Sequence, residues 1–215
     1  MYDIVSGPLV WVAFLLFFAG LVYQAAVVVR EARRDKIVLP YLSLRFGLRS
    51  LLHWVVPFAS RNMRLRPEMT LVAFAFHLGL VLTPLFILGH NVLLHRSLGI
   101  RLWTLSEGTA DVMTLLVVLC GLFLVGRRLL LPEVRFVTTP SDYALLAVAV
   151  FPFATGFLAH RQWLPYETIL VLHILSGEVM LVVIPFSRLR HMFFFPFTRA
   201  YMGSEFGAVR HSRDW

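Results

Sequence analysis

The sequence predicts an all-α integral membrane protein with five transmembrane helices, and three observations predict it. Hydrophobic residues form 59% of the 215-residue chain and charged residues 15%, where soluble domains carry about 45–50% and about 25%. Mean hydropathy is +0.77. Runs of Leu, Val, Phe and Ala recur along the whole chain, each close to the ~20 residues that cross a bilayer. The basic residues crowd into alternate connections between those runs. A soluble enzyme, a disordered chain and a β-barrel, whose strands alternate with period two, are excluded. Cys120 is the only cysteine, which also excludes a disulfide scaffold, a Cys-ligated iron–sulfur cluster and a haem attached through Cys-x-x-Cys-His. Redox or metal chemistry in this chain must use histidine.

The spans are expected at about 8–29, 70–94, 110–131, 143–160 and 168–195, within a single membrane domain over 1–215. The first is a true span, because no basic residue precedes it and it is too long for the apolar core of a signal peptide. Of the 20 Lys and Arg, nine lie in Arg30–Arg66. Arg127, Arg128 and Arg135 lie in the third connection, and Arg188, Arg190, Arg199, Arg210 and Arg213 lie near the C-terminus. Only Arg96, Arg101 and Arg161 fall on the other side. The positive-inside rule then puts the N-terminus outside, and the loop 30–69 and tail 196–215 in the cytoplasm. The net charge of +8 is therefore a topology signal, and no nucleic-acid partner is expected. Within the loop, Tyr41 to Ser60 reads as an interfacial helix with Arg45 and Arg49 towards anionic lipid, or as a docking site for a cytoplasmic partner. Neither an internal repeat nor a second domain is expected. The tail from Phe197 is expected to pack on a partner or stay loose.

Eight histidines remain as chemistry-bearing groups. Ionisable side chains inside a membrane are costly and mark functional positions. Spans two and five run in opposite directions, so His77 and His191 fall towards the inner face and His90 and His173 towards the outer face. Two cross-helix pairs at two depths are what two stacked bis-histidine haems require, since each iron takes imidazoles from opposite faces of its ring. The five spans then form a dihaem helical bundle. His173 and His191 are 18 residues apart, about five turns of one helix, and Gly177 on that face leaves room for a flat macrocycle. His77 and His90 are 13 apart, about 140° out of phase in a straight helix, but Pro84 between them can kink or unwind it. His95 is in better phase with His77, yet it sits beside Arg96 at the span's end. The alternative for each histidine is a hydrogen-bonded core residue, and the matching depths favour ligation. His53 and His211 read as interfacial or solvent residues, and His160 as either a surface or a quinone-site residue.

The residues Phe76-His77, His90-Asn91, Arg127-Arg128, Pro132-Glu133-Val134-Arg135 with Asp142-Tyr143, His173 through Glu178, and Ile184-Pro185-Phe186 through His191-Met192 carry a resemblance. The chain resembles the b-haem gamma subunits of respiratory nitrate reductases. It is more similar to the membrane subunits of the Tmc, Hmc and Dsr electron-transfer complexes of sulfate-reducing bacteria, most of all the C subunits of the Tmc complexes. The likeness covers nearly the whole chain and departs at span two, where the nitrate-reductase pattern has a shorter interval between its histidines. It implies His77, His90, His173 and His191 as ligands of two haem b in a bacterial cytoplasmic (inner) membrane. It also implies a cytoplasmic iron–sulfur partner of heterodisulfide-reductase type and a periplasmic multihaem cytochrome c.

Haem propionates need donors, which Arg supplies by bidentate geometry. Arg127, Arg128, Arg188 and Arg190 are available inside, and Arg96, Arg101 and Arg161 outside; each also reads as a snorkelling topology residue. Glu178 lies too deep to snorkel and reads as a structural pair or a proton carrier, while Glu107 and Asp111 are proton-path or surface residues. His160, Arg161, Trp163 and Tyr166 are the outer candidates for a quinone pocket. The function expected is electron transfer between a menaquinone-type quinone and partner subunits. Its rivals are a proton-relaying transporter and a cofactor-free membrane anchor.

Overall fold

The structure is a computed structural model whose described residues are 1–212; Arg213, counted above with the basic tail, lies outside them. Every regular element among the described residues is helical. The longer helices are α1 Val10–Arg34, α2 Leu44–Val55, α3 Pro67–Phe86, α4 Leu88–Leu98, α5 Glu107–Leu130, α6 Pro140–Arg161, α7 Tyr166–Phe186 and α8 His191–Ser204. A helical lead-in with a π turn at Val5–Leu9 precedes α1. Five helices are long and apolar enough to cross a membrane: Tyr2–Arg34, Pro67–Phe86, Glu107–Leu130, Pro140–Arg161 and Tyr166–Phe186. The chain is a multi-pass helical membrane protein.

The helix ends follow local chemistry. Ser106 caps α5 by accepting from the Thr109 amide at 3.3 Å, and Thr139 with Asp142 forms a capping box at α6, with Pro140 at its first position. These contacts satisfy amides that a helix start leaves without partners. At the other end of α4, Gly99 takes a left-handed φ of 71° and returns its amide to the His95 carbonyl, a conformation glycine adopts without a Cβ penalty.

The single domain expected from the sequence divides into two compact units. The first is Met1–Trp11 with Val72–Met180, the second Val12–Leu71 with the chain from Leu181 onwards. In the first, Phe76, Val117, Cys120, Ala149 and Phe153 form the buried core. Small residues let its helices approach closely. A Cβ on Gly79 would collide with Val117, and one on Gly121 with Val150. Lipid tails are as apolar as leucine, so close packing rather than exclusion from water holds such helices together.

In the second unit, α8 lies against α2. A Cβ on Gly47 would sit 3.2 Å from Ala200 Cβ, and one on Gly203 would sit 2.5 Å from the Phe46 carbonyl oxygen. Ser204 Oγ accepts from the Ser43 amide at 3.0 Å, and the Arg199 guanidinium lies 4.5 Å from the Trp54 ring centroid. Burial draws the Arg199 guanidinium below its ordinary pKa, and the aromatic face is the partner that favours its charge. Arg190 Nη1 donates to Gln24 Oε1 at 2.8 Å, and the Tyr201 hydroxyl donates to Asp35. On α2, Leu44, Leu48, Leu52 and Val55 remain exposed on one stripe, the apolar face expected of an interfacial helix.

Two sequence expectations are corrected. The fifth span does not continue to residue 195. α7 ends at Phe186 just after Pro185, Ser187 is extended (φ −130°, ψ −175°), and its Oγ accepts from the Leu189 amide at 3.1 Å. His191 begins a separate helix, so the five-turn phase argument relating it to His173 lapses. The tail is also not loose: residues up to Val209 are helical, with Gly203 against the Phe46 carbonyl of α2, Gly207 against the Phe46 ring and Ala200 against Gly47.

Candidate functional site

The site is built on the end of α3. Pro84 has no N–H to continue the helical ladder, and the helix ends at Phe86, with Ile87 extended (φ −70°, ψ 137°) before α4 begins. Span two is thus two helices, which removes the phase conflict between His77 and His90. A helix end leaves its last four carbonyls without helical donors, and here each has a partner. Thr83 O accepts from the Ile87 amide at 3.0 Å and Phe86 O from the Leu105 amide at 2.8 Å. Pro84 O takes the Nδ1 of His90 at 2.9 Å, and Leu85 O takes the Nδ2 of Asn91 at 3.0 Å. The break itself therefore places His90.

His173, on α7, is placed from α6. Its Nδ1 lies 2.9 Å from the Pro152 carbonyl and 3.5 Å from Thr155 Oγ1. Its ring rests on Gly156, where a Cβ would come within 2.9 Å of His173 Cε1. The His90 and His173 rings have centroids 5.9 Å apart and planes 17° from parallel. A carbonyl only accepts, so Nδ1 is the donor in both rings. In the neutral imidazole that leaves the lone pair on Nε2. Histidines that bind metals characteristically donate the other ring N–H to a backbone carbonyl or carboxylate. Two imidazoles sharing one iron would put their centroids about 6.3 Å apart, from metal–nitrogen bonds of about 2.0–2.1 Å and about 1.1 Å from nitrogen to centroid. The observed centroid separation, 5.9 Å, is close to that value.

The other expected residues lie as follows. His77 is exposed on α3, and its Nδ1 donates to the Ala73 carbonyl at 2.7 Å; His191 is exposed at the start of α8, with Nδ1 donating to the Arg188 carbonyl at 2.8 Å. His77 belongs to the first unit and His191 to the second. His95 differs from the four, because its Nε2 accepts from Arg101 at 3.1 Å. Arg127 and Arg128 are half-buried at the end of α5, and Arg128 Nη1 donates to the Leu124 carbonyl at 3.0 Å. Arg161 is paired with Asp111 at 2.5 Å, with His160 Nε2 3.7 Å from the same carboxylate. Arg161 also stacks on Phe157, which meets Trp163 edge-on. A Cβ on Gly177 would meet nothing within 4 Å. Glu178 is 7% exposed, and neither carboxylate oxygen has a hydrogen-bond partner among the described residues. No cluster of three or more metal-ligating side chains occurs among those residues, so the histidine pair stands alone.

Sequence reasoning missed Pro152, Thr155 and Gly156 as the seat of His173. The signal lay in span four, where Ala149, Pro152, Gly156 and Ala159 recur every three or four residues on one side of an otherwise bulky helix. In a membrane such a stripe marks close approach of a neighbour.

Fold and site define a five-span helical membrane protein with a histidine pair oriented by backbone carbonyls. A protein of Nitratidesulfovibrio vulgaris strain Hildenborough, whose name states no activity, is 39% identical to it over 215 residues, covering 98% of this chain and 95% of its own. The chain belongs to the same family as that protein. No family model matches the chain, and no solved structure does.

Proposed function

We propose that the chain is a dihaem cytochrome b subunit of a respiratory electron-transfer complex in a bacterial cytoplasmic (inner) membrane. It relays electrons between a menaquinone-type quinone and two partners, a cytoplasmic iron–sulfur subunit of heterodisulfide-reductase type and a periplasmic multihaem cytochrome c. The observation that carries the reading is the His90–His173 pair, with rings 5.9 Å apart and both Nδ1 atoms held by backbone carbonyls. His90 and His173 hold the outer haem through Nε2, and the bound haem supplies one-electron chemistry. Pro84 and Pro152, through their carbonyls, fix the ring orientations, and Gly156 seats the His173 ring. The second haem rests on the sequence positions of His77 and His191, each of which also gives its Nδ1 to a carbonyl. Arg127 and Arg128 are the donors proposed for propionates, and Gly177 leaves space beside His173. Arg161, through Asp111, keeps the outer ends of α5 and α6 together near the proposed quinone site.

Pyridine haemochrome analysis of the purified protein should give about two haem b per chain. His90→Ala and His173→Ala should each remove the same haem, while His95→Ala, whose Nε2 is already engaged by Arg101, should remove none. A colourless wild-type protein would overturn the reading. The proton-relay reading is favoured by one observation, the unpartnered carboxylate of Glu178. A colourless protein whose proton flux in liposomes is abolished by Glu178→Gln would establish it instead.

A further inference from the structure

We infer that Asn91 is the positioning residue of the outer haem site, acting through His90; this rests on the haem reading above. Asn91 is 6% exposed on α4, and its amide joins three pieces of chain. Its Nδ2 donates to the Leu85 carbonyl at 3.0 Å, at the end of α3, and to the Ile87 carbonyl at 3.3 Å, in the break. Its Oδ1 accepts from the Leu102 amide at 3.1 Å, in the connection beyond α4. The Asn91 amide N–H also donates to the Ile87 carbonyl at 3.1 Å. A buried carbonyl or amide that loses its partner is left unsatisfied, so the geometry of the break depends on this one side chain.

The break in turn sets His90. The acceptor of His90 Nδ1 is Pro84 O, and the acceptor of Asn91 Nδ2 is the next carbonyl, Leu85 O. Adjacent side chains therefore grip adjacent carbonyls across the turn. Losing the Asn91 grip frees Leu85 O and the Leu102 amide together, while Ile87 O keeps the backbone N–H of residue 91, and the start of α4 must rotate to re-pair the freed groups. His90 is three residues into that helix and moves with it. Asparagine is required because its amide carries two donor hydrogens and an acceptor on separate atoms, which a hydroxyl of similar size does not. Aspartate keeps the acceptor for Leu102 but sets an oxygen against Leu85 O.

The test compares wild type, Asn91→Ala, the near-isosteric Asn91→Asp and His90→Ala, purified in detergent. The readouts are the haem-to-protein ratio and the electron paramagnetic resonance lines of the oxidised haems, which respond to the relative orientation of the axial imidazoles. Partners one shell beyond a ligand typically carry about 10–100-fold in metal affinity. Both Asn91 variants should therefore lose or shift the same haem signal that His90→Ala removes, and leave the other signal unchanged. If Asn91→Ala fails to accumulate, Asn91→Asp decides. A haem-loaded wild type beside Asn91 variants with an unshifted His90-dependent signal overturns this inference alone. A wild type without haem overturns the haem reading and this inference with it.

Discussion

Replacing Gly156 by alanine puts two effects of similar size in opposition and separates stability from site geometry. The new Cβ would lie 2.9 Å from His173 Cε1 and 3.1 Å from Nδ1. Ordinary van der Waals contact begins near 3.4 Å, so the ring must retreat by about 0.5 Å, the tolerance within which a binding constellation has to be held. Retreat lengthens the 2.9 Å bond to Pro152 O to the edge of hydrogen bonding, a loss of about 0.5–1.5 kcal/mol. Removing a glycine from a helix interior returns about 0.8–1.0 kcal/mol. The net change in stability is within about 1 kcal/mol of zero, or roughly 2–4 °C in melting temperature for a chain of this size. Thermal melting should therefore scarcely register Gly156→Ala, whereas the haemochrome assay should show partial loss of the haem that depends on His173. Gly126→Ala on α5, where the Cβ has open space, should keep its full haem content. Full haem content with unshifted resonance lines in Gly156→Ala would refute the claim that Gly156 seats the ligand.

Gly203→Leu should lower the melting temperature by an amount corresponding to about 1–3 kcal/mol or more, since its Cβ would press on the Phe46 carbonyl, which cannot swing aside. Limited proteolysis should then release fragments from α8, and an unaltered digestion pattern would count against the α2–α8 contact. Gly177→Leu should leave the polypeptide fold intact, because its Cβ has open space, and should lower haem retention; unchanged haem content would remove Gly177 from the site. An impermeant thiol reagent should fail to label Arg49→Cys in intact cells and label it in inverted vesicles, with Cys120 silent because it is buried. Labelling from outside would reverse the topology.

The spans were legible because bilayer thickness constrains length and composition: the third and fourth expected ranges fall within a few residues of the helices observed and the first lies inside its helix, whereas the second ran past Phe86, where the Pro84 break ends the helix. The fifth failed at Ser187, since Phe193 to Phe197 is as apolar as the helix before it and hydropathy is blind to a single extended residue. The helical tail was hidden for a related reason. Gly203 and Gly207 read as breakers in isolation, and only Phe46 of α2, its carbonyl against Gly203 and its ring against Gly207, turns their missing side chains into packing. His90 and His173 were legible as a pair by depth alone. Their acceptors were not, because Pro84 and Pro152 contribute carbonyls, and a backbone group has no letter in the sequence.

The tautomer of the pair separates a ligand site from two ordinary core histidines. A hydrogen-bonded histidine engages its ring nitrogens with protein partners, as the exposed His95 does by accepting from Arg101 at Nε2. Two neighbouring histidines satisfy each other when one presents N–H and the other a lone pair. Here both Nδ1 atoms are spent as donors on carbonyls, so two neutral rings carry two Nε2 lone pairs and no N–H to place between them. A lone pair in a desolvated setting costs free energy until something electron-accepting reaches it. The two rings are held 5.9 Å apart, farther than imidazoles that share one proton and close to the spacing about one metal ion. Protonating one ring would supply the missing donor but would bury a cation. A haem iron would be able to accept both lone pairs with each imidazole left unprotonated, and this acceptor chemistry is what the proposed haem site asks of His90 and His173.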